Sequence, residues 1–387
     1  MRNVLRWLAR IGIALGLAII VIGIWKREEI GRLLAVNSLF SEDRIVANFS
    51  SMDEMFLTRA VPRGDGEVSP LPEGEKMKLP AGTENWIEER AVTSLLVLDE
   101  GRIVHESYHL GTGPKDRRIS WSMAKSFLSA LVGILLEEGA IASLDDPVTK
   151  YAPPLEGGAY DGATLRNVLN MASGVTFNED YLDFHSDINR MGRVLALGGT
   201  MDGFATGLTE RFAEPGETWQ YVSIDTHVIG MVVRGATGRD VPALMSEKII
   251  APLGLETAPY YLTDGVGVAF VLGGLNMTTR DYARFGLMFE QEGQYQGRQI
   301  VPADWVTAST VPTAPTAEGE IGYGYQWWIP EGSEPGQFMA RGIYGQYIYV
   351  DQGRDVVIVT TAADRDFREP GVAEQNVEVF REIAKAL

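Results

Sequence analysis

The stretch RRISWSMAKSFLSALVGILLEEG, residues 117–139, decides how the rest of the chain is organised. Between Met123 and Leu136, apolar residues occupy nearly every face of the predicted helix, which indicates a helix buried on all sides. Lys125 carries the only charge inside this run, and the next charge is that of Glu137. Because an isolated buried ammonium group is too costly to keep, Lys125 must be either paired or neutral.

Ser122 lies three residues before Lys125, so a helix places both side chains on one face, about one turn apart. The helix macrodipole favours developing negative charge at the N-terminal end, where Ser122 lies. Burial lowers the pKa of a lysine towards the range in which its neutral amine accepts a serine proton. The alternative is a structural serine beside a snorkelling lysine, since S-x-x-K arises by chance about once or twice in a chain this long. The apolar surroundings favour a nucleophile with its base.

The segments on either side of this helix predict the fold. TSLLVL at 93–98 and IVHESYHL at 103–110, joined by the turn DEGR, form one predicted hairpin. GQYIYV at 345–350 and DVVIVTTA at 355–362 form a second, before a helical tail. The segments between the hairpins have helical patterns, including those at 164–171, 226–238 and 279–293. We therefore predict an α/β fold of the α+β type, with a central antiparallel sheet built from both ends of the domain, flanking helices and an inserted, mostly helical lobe.

The N-terminus has the pattern of a membrane segment. Arginines precede an uninterrupted apolar run at 11–25, and KREE follows it at 26–29. Extended back to Val4, with the arginines snorkelling, the segment is long enough for a tilted single span through residues 4–25. No small-x-small cleavage site follows the run, which favours an uncleaved anchor over a removed signal peptide. The flanking positive charges nearly balance, so they barely orient the helix.

Three regions are expected along the chain. Residues 1–30 form a membrane anchor or signal-anchor helix, and residues 88–387 form the folded domain. Residues 31–87 are an N-terminal extension and linker, because GDGEVSPLPEGEKMKLPAG at 64–82 is rich in proline, glycine and glutamate.

Composition excludes several classes of function. The formal net charge of −18 argues against nucleic acid as a partner, since phosphate binding needs clustered Lys and Arg. The chain has no cysteine, and its four histidines are scattered without an H-E-x-x-H motif, so neither a metal site nor a cofactor is expected. It also lacks a G-x-S-x-G elbow and a phosphate-binding G-x-x-x-x-G-K-[ST] loop.

Several motifs in order resemble the class C β-lactamase and penicillin-binding superfamily. They are SMAK at 122–125, LLEEGAIASLDDPVTKYAP at 135–153, ATLRNVLNMASGV at 163–175 and EPGETWQYVSIDTHVIGMVVRGATG at 214–238. The likeness runs from about residue 88 to 365. It implies a β-lactamase/transpeptidase-like fold in which residues 88–387 are a serine hydrolase domain, with the serine of SMAK as nucleophile and its lysine as the activating partner.

The second motif of that superfamily is a tyrosine followed two residues later by asparagine, and Tyr221-Val222-Ser223 occupies its place here. The resemblance implies that Tyr221 is catalytic. A phenolate stabilised beside an ammonium group can take the serine proton and later return it to the leaving group, so Ser122, Lys125 and Tyr221 would suffice without a histidine. The alternative for Tyr221 is a packed aromatic residue near the start of a helix.

The third motif, Lys-Thr/Ser-Gly on a strand edge, is absent, and the equivalent strand reads ARGIYGQ at 340–346. The missing lysine normally meets the substrate carboxylate, so recognition of β-lactams is not expected. Tyr-x-Ser with this strand is instead similar to the branch that contains 6-aminohexanoate-dimer hydrolase and related carboxylesterases. In that branch two backbone N–H groups hold the oxyanion, which here would be those of Ser122 and Ile343.

The same resemblance implies substrate-binding residues. Tyr181, in FNEDY, matches a tyrosine that assists amide turnover, and Ser223 and Tyr344 are expected beside the substrate. Arg341 would bind a substrate carboxylate in place of the lost lysine, or is an ordinary strand arginine. Trp219 and the pair at 327–328 could line an acyl pocket, although core packing is the more conservative interpretation.

The predicted function is therefore hydrolysis of an ester or linear amide bond through an acyl-enzyme, with a small-molecule ester, amide or peptide-like partner and no cofactor. The alternatives are a penicillin-binding DD-peptidase or β-lactamase, and a catalytically inactive binding or sensor domain on a membrane anchor. By analogy, the domain is expected on the periplasmic side of the inner (cytoplasmic) membrane. The natural substrate and the oligomeric state stay open.

Overall fold

A computed structural model describes residues 2–387 of the protein as a mixture of helices and antiparallel strands. The strands are β1 (Thr58–Ala60), β2 (Val92–Asp99), β3 (Arg102–Tyr108), β4 (Arg118–Ile119), β5 (Tyr260–Leu262), β6 (Leu275–Met277), β7 (Gln294–Tyr295), β8 (Arg298–Gln299), β9 (Gly322–Gly324), β10 (Trp327–Ile329), β11 (Gln337–Gly342), β12 (Gln346–Asp351) and β13 (Val356–Ala362). The α-helices are α1 (Arg2–Trp25), α2 (Arg27–Ser38), α3 (Ile45–Asn48), α4 (Met52–Met55), α5 (Thr83–Glu89), α6 (Ala124–Glu137), α7 (Val148–Tyr151), α8 (Leu165–Leu169), α9 (Asp187–Ala196), α10 (Met201–Thr206), α11 (Ser223–Thr237), α12 (Val241–Met245), α13 (Ala251–Leu253), α14 (Thr279–Glu290), α15 (Ala303–Ser309) and α16 (Val372–Lys385).

The central sheet has seven strands in the order β3-β2-β13-β12-β11-β10-β9, and each neighbouring pair is antiparallel. Both predicted hairpins are present, and β2 pairs with β13, so the two ends of the domain join in one sheet. The turn between β2 and β3 has Glu100 at φ 45° and Gly101 at φ 71°. Two consecutive positive φ angles give a turn whose twist matches that of the flanking strands. The prediction of a sheet built from both ends is confirmed.

Helices cover both faces of this sheet. On one face α16 packs against β2 and β12, and Phe380 meets Trp86 edge-on with ring centres 5.9 Å apart. On the other face lie α14 and the predicted central helix α6, where Phe127 stacks on Phe285 with ring centres 3.6 Å apart. Residues 124–135 of α6 are all buried, as the apolar pattern predicts.

The middle of the chain forms the predicted helical lobe. The helices α7 to α13 lie between the strands β4 and β5 in sequence. The longest of them, α11, is buried from Ser223 to Val233 and packs against α6, α7 and α8. The N-terminal ends of α6 and α11 each carry candidate catalytic residues.

The N-terminal extension packs on the domain. Strand β1 pairs with β5 in a small second sheet of order β1-β5-β6-β4. Phe49 has no exposed surface, and its carbonyl accepts the N–H of Ile119 at 3.0 Å. Within the stretch predicted as a linker, the carbonyl of Ser69 accepts a hydrogen bond at 2.8 Å from the buried Arg284. Much of the extension therefore belongs to the core, while the proposed domain boundaries stay a prediction.

Helix α1 is the one helix within residues 2–387 that is long and apolar enough, between Asn3 and Trp25, to cross a membrane. Its apolar side chains are exposed. The N–H of Lys26 donates to Ile22 and the carbonyl of Lys26 accepts from Ile30, at 2.8 and 2.9 Å. The helical hydrogen bonding therefore continues from α1 into α2.

Candidate active site

Ser122 lies in a short turn of 3-10 helix, Trp121–Met123, between β4 and α6. The sequence analysis placed Ser122 on the α-helix itself, so this detail is corrected. Trp121 has φ 43°, a left-handed conformation that is uncommon for residues other than glycine. The turn is anchored by the N–H of Ser120, which donates to the carbonyl of Leu275 at 2.8 Å. The chain therefore presents Ser122 just before the first turn of the buried helix.

Lys125 reaches back to Ser122 as the three-residue spacing predicts. Its Nζ lies 3.0 Å from Ser122 Oγ, 3.3 Å from Ser223 Oγ and 2.8 Å from the carbonyl oxygen of Leu272. Only 1% of Lys125 is exposed. Its polar partners are therefore neutral oxygen atoms, one from each of three separate parts of the chain.

Burial lowers the pKa of Lys125 to about 7, while the negative charges of Glu179 and Asp225 act in the opposite direction. Desolvation is the larger effect because it disfavours the charged form of a fully buried amine. A substantial fraction of Lys125 is therefore a neutral amine near neutral pH, and a neutral amine can accept a proton.

Glu179 was missed by the sequence analysis, although it lies two residues before Tyr181 in FNEDY. Its carboxylate accepts hydrogen bonds from the N–H of Ser223 at 3.0 Å, from the hydroxyl of Ser223 at 2.5 Å and from the hydroxyl of Tyr181 at 2.7 Å. Because Ser223 donates its hydroxyl proton to Glu179, its oxygen is left to accept from Lys125. No local pattern distinguishes this glutamate from the other acidic residues around it.

A second acidic group that the sequence did not single out is Asp225, on the buried face of α11. Its Oδ1 accepts from the hydroxyls of Tyr160 at 2.7 Å and Ser173 at 2.9 Å. Burial raises the pKa of Asp225 to about 7, and these two hydrogen bonds oppose that shift. Asp225 lies behind the site and acts on Lys125 only through its charge.

Tyr221 lies beside this pair, with the Nζ of Lys125 5.3 Å from its ring centre. Its ring stacks on Trp328 at 5.1 Å and meets Tyr323 edge-on at 6.3 Å. Burial raises the pKa of Tyr221 above its usual value, and a hydrogen bond with the Ser122 hydroxyl opposes the shift. At neutral pH the side chain is therefore a phenol that can donate a proton.

The end of β11 runs directly past the Ser122 turn. A Cβ on Gly342 would lie 2.5 Å from the carbonyl oxygen of Ser120 and 3.1 Å from the backbone nitrogen of Ser122, so only glycine permits this approach. Gln346 holds the next turn by donating to the carbonyl of Ile343 at 3.2 Å. Within residues 2–387, neither the N–H of Ser122 nor that of Ile343 has a protein acceptor. Both are available to an oxyanion.

The predicted site residues border two spaces that meet at Ser122. The first is an open pocket of about 410 Å³, whose lining includes Ser122, Tyr181, Tyr221, Arg341 and Ile343. The second is a smaller apolar cavity, whose lining includes Ser122, Tyr181, Ser223, Ile343 and Tyr344.

Two of the residues expected to bind substrate, Arg341 and Tyr344, lie on different sides of Ser122. Arg341 lies with its guanidinium carbon 5.5 Å from the ring centre of Trp328, at the open pocket. Tyr344 has φ 61° and stacks on Phe40 at 4.8 Å, on the apolar side. Trp327 is fully buried against aromatic residues of α14 and belongs to the core. In the described part of the chain, no group of three His, Cys, Asp or Glu residues is arranged to hold a metal ion.

Known proteins match both the sequence and the fold. A family model described as Beta-lactamase matches residues 84–378. The 6-aminohexanoate-dimer hydrolase of Paenarthrobacter ureafaciens is 32% identical over 339 residues, which cover 80% of this chain and 83% of that protein. Penicillin-binding protein 4* of Bacillus subtilis is 24% identical over 57% of this chain and 54% of its own length.

Solved structures agree at the level of the fold. The structure described as "Putative 6-aminohexanoate-dimer hydrolase from Bacillus anthracis" superposes with a TM-score of 0.79 at 24% identity, over 89% of this chain and 95% of that chain. EstCE1, described as a hydrolase with promiscuous acyltransferase activity, has a TM-score of 0.60 at 16% identity over 76% of this chain and 95% of its own. The resemblance and fold class predicted from the sequence are confirmed. Because the family model covers well over half of the chain and a relative is 32% identical over most of it, the chain belongs to the β-lactamase family of serine hydrolases.

Proposed function

We propose that the protein hydrolyses an ester or linear amide bond through an acyl-enzyme on Ser122, with Lys125 and Tyr221 as the proton-transfer groups. The observation that carries the proposal is the 3.0 Å separation between Lys125 Nζ and Ser122 Oγ at a site where burial lowers the pKa of the lysine to about 7. A base with its pKa near the working pH is the most effective acceptor of the serine proton.

The hydrogen bonds around Lys125 support a direction for this transfer. The carbonyl of Leu272 can only accept, and Ser223 accepts because its own proton goes to Glu179. A neutral amine has two N–H groups and one lone pair. With both N–H groups engaged, the lone pair is left to face the hydroxyl of Ser122.

The remaining steps follow from the other groups at the site. When Ser122 Oγ attacks the carbonyl carbon, its proton passes to Lys125, and the N–H groups of Ser122 and Ile343 stabilise the oxyanion. Tyr221, which is protonated at neutral pH, gives its proton to the leaving oxygen or nitrogen and regains one from the Lys125 ammonium. Water then attacks the acyl-enzyme and loses a proton to Lys125, and the Lys125 ammonium returns a proton to Ser122 Oγ as the acyl–oxygen bond breaks and the acid is released.

The relative named 6-aminohexanoate-dimer hydrolase supports linear amides and esters over β-lactams. Arg341, at the open pocket, would bind a carboxylate on the leaving group, in the role that the absent lysine has in penicillin-recognising enzymes. Penicillin-binding activity is the second candidate, which the similarity to penicillin-binding protein 4* favours. Nitrocefin turnover or covalent labelling by a fluorescent penicillin would establish this second function.

An active-site-directed fluorophosphonate tests the nucleophile. We expect it to label the full-length protein, and Ser122→Ala to abolish both the labelling and the hydrolysis of p-nitrophenyl esters. Equal labelling of Ser122→Ala would contradict the proposal. If nothing is labelled and neither esters nor linear amides are hydrolysed, while some ligand raises the melting temperature, the protein is a binding or sensor domain instead.

We also propose that α1 is an uncleaved anchor in the inner membrane, with residues 88–387 on the periplasmic side. The length, apolar composition and exposure of the helix support this. Alkaline phosphatase and green fluorescent protein fused after residue 30 report the side of the membrane. Phosphatase activity with a dark fluorescent fusion is the expected result, and the reverse pattern would place the domain in the cytoplasm.

A further inference from the structure

An apolar cavity of about 140 Å³ adjoins Ser122 on the side away from Tyr221. Its lining is hydrocarbon, aromatic or neutral polar, and none of the residues that line it carries a charge. The lining includes Val36, Leu39, Phe40, Ser122, Gly192 and Tyr344. The cavity is therefore suited to an uncharged hydrocarbon group.

One wall of this cavity comes from the N-terminal extension. Val36 and Leu39 belong to α2 or follow it directly, and Phe40 stacks on Tyr344. Helix α2 continues the hydrogen bonding of α1, so the wall is joined to the segment proposed to lie in the membrane. These residues precede the region that the family model matches, which begins at residue 84. The cavity is thus a feature of this chain's extension as much as of the family fold.

The pocket on the opposite side of Ser122 is polar and charged. The open pocket of about 410 Å³ is lined by Tyr221 and by charged groups that include Arg341, Arg368, Glu369 and Glu374. Tyr221 lines this pocket and not the apolar cavity. A group that protonates the leaving atom must lie on the leaving-group side of the scissile bond. The acyl group then extends to the other side, into the apolar cavity.

We propose that this cavity is the acyl pocket, that it takes an uncharged acyl chain of about six carbon atoms, and that the polar leaving group occupies the open pocket. The inference rests on the proposed acyl-enzyme mechanism. The size follows from volume, since an apolar protein cavity of about 150 Å³ holds one benzene ring, which has six carbons. Burying each methylene group of the chain in this cavity stabilises the complex.

Because its lining carries no charge, the cavity should discriminate between two acyl groups of equal length. A 6-aminohexanoyl group, the acyl unit of the dimer in the name of the relative 6-aminohexanoate-dimer hydrolase, carries an ammonium at the end of the chain. In this cavity the ammonium would lose its water without meeting a carboxylate, which is strongly unfavourable. The structure therefore assigns hexanoyl, and not 6-aminohexanoyl, as the preferred acyl group.

A series of p-nitrophenyl esters tests this assignment on the full-length protein in detergent. We expect kcat/KM for the hexanoate to exceed that for the acetate by about 10-fold or more, and that for the 6-aminohexanoate by at least as much. The kcat/KM for the dodecanoate should not exceed that for the hexanoate. Equal rates for hexanoate and 6-aminohexanoate, or a steady fall from acetate upwards, would overturn the proposal.

Gly192 offers a way to fill the cavity. It lies on α9 on the same face as Ile188 and Leu195, and a Cβ there would meet nothing within 4 Å. We expect Gly192→Leu to lower the hexanoate/acetate ratio about 10-fold, and Phe40→Ala, which enlarges the same cavity, to move the optimum to longer chains. Partial unfolding of the two variants would not shift their preference for acyl-chain length in opposite directions.

Gly31→Leu is the matched control, because Gly31 is also a helical glycine with open space around it but does not line the cavity. The hexanoate/acetate ratio should stay at the wild-type value in this variant. If all three variants changed the ratio alike, the cavity would not be the acyl pocket. Fluorophosphonate labelling separates the two proposals, because a protein that labels on Ser122 yet shows no chain-length preference contradicts only the acyl-pocket inference. A protein that does not label contradicts the proposed function itself.

Discussion

At the scale of single residues, the chemistry of the site depends on the protonation states of Lys125 and Tyr221. Lys125 is buried, its pKa is lowered to about 7, and its Nζ lies 3.0 Å from Ser122 Oγ. Tyr221 has a raised pKa and keeps its proton at neutral pH. The two environments push the pKa values of Lys125 and Tyr221 apart, which suits these residues to the proposed roles of base and acid.

The first prediction concerns the pH dependence of catalysis. In the proposed mechanism only the neutral amine of Lys125 accepts the serine proton, so kcat/KM for a p-nitrophenyl ester should rise about 10-fold per pH unit below about 7 and level off above it. Lys125→Met should lose this limb and lower kcat/KM by about 10²- to 10⁴-fold. An unchanged pH profile in Lys125→Met would assign the base to another group.

The same pKa has a consequence for stability. The unfolded lysine has a pKa of about 10.4, so between about pH 7 and 10 the unfolded chain binds more protons at this position than the folded one. The contribution of Lys125 to the free energy of unfolding therefore rises with pH in that window. Urea titrations across pH 7 to 10 should show a steeper rise for the wild type than for Lys125→Met, and parallel curves would contradict the lowered pKa.

We expect Glu179 to act as a positioning residue for Lys125 and Ser223. Its charge raises the pKa of Lys125, and its carboxylate directs the hydroxyl of Ser223. Glu179→Gln should lower kcat/KM and also move the acid limb of the pH profile to lower pH. Asp180→Asn, which alters the neighbouring carboxylate that pairs with Arg368, should leave the limb at its wild-type position. A loss of activity without any movement of the limb would indicate a purely structural role.

At the scale of the elements, the buried helix α6 must fit closely between its neighbours. A Cβ on Gly133 would overlap the indole ring of Trp305 on α15. In contrast, a Cβ on Gly192 of α9 would meet nothing within 4 Å. The same substitution at these two helical glycines should therefore have opposite effects on stability.

We expect Gly133→Ala to lower the free energy of unfolding by about 1–3 kcal/mol, because overpacking outweighs the gain in helix propensity. Gly192→Ala should raise it by about 0.5–1 kcal/mol, because only the propensity changes. Urea unfolding of the two variants measures the difference. A gain of stability in both would mean that Trp305 moves aside at no cost.

At the scale of the whole molecule, the N-terminal extension and the domain fold as one unit. The buried Phe49 packs against Trp121, whose ring centre is 5.5 Å away, and so supports the residue that precedes the candidate nucleophile. Helix α1, in contrast, exposes its apolar side chains and has few contacts beyond α2. The packed part of the structure therefore begins near residue 26, and the domain boundaries expected from the sequence stay a prediction.

This boundary leads to a test by truncation and substitution. Deleting residues 1–25 should leave the melting temperature of the remaining chain unchanged, because few contacts are lost. Phe49→Ala should lower the free energy of unfolding by about 3–5 kcal/mol, as expected for a fully buried aromatic side chain. A Phe49→Ala protein as stable as the wild type would show that the extension is a detachable linker after all.

Local pattern was enough for much of the fold and for part of the site. An apolar helix interrupted by one lysine predicts burial and the pairing of Lys125 with Ser122, and both hairpins follow from alternating β-rich runs around short turns. The order of motifs then implied Tyr221 and the family. Each of these signals is local to one short segment of the chain, where backbone geometry relates spacing to position.

Only the tertiary structure determined what surrounds Ser122 and Lys125. The carboxylate of Glu179, the carbonyl of Leu272 and the walls of the apolar cavity come from segments far apart in the chain, and a glutamate or a leucine carries no local mark of such a contact. The composition at 64–82 gave no indication that Ser69 contacts the buried Arg284 for the same reason, because proline- and glycine-rich composition describes local flexibility and not long-range burial. The sequence by itself determined which side chains could react. The packing of distant segments determined their protonation and what lies on each side of them.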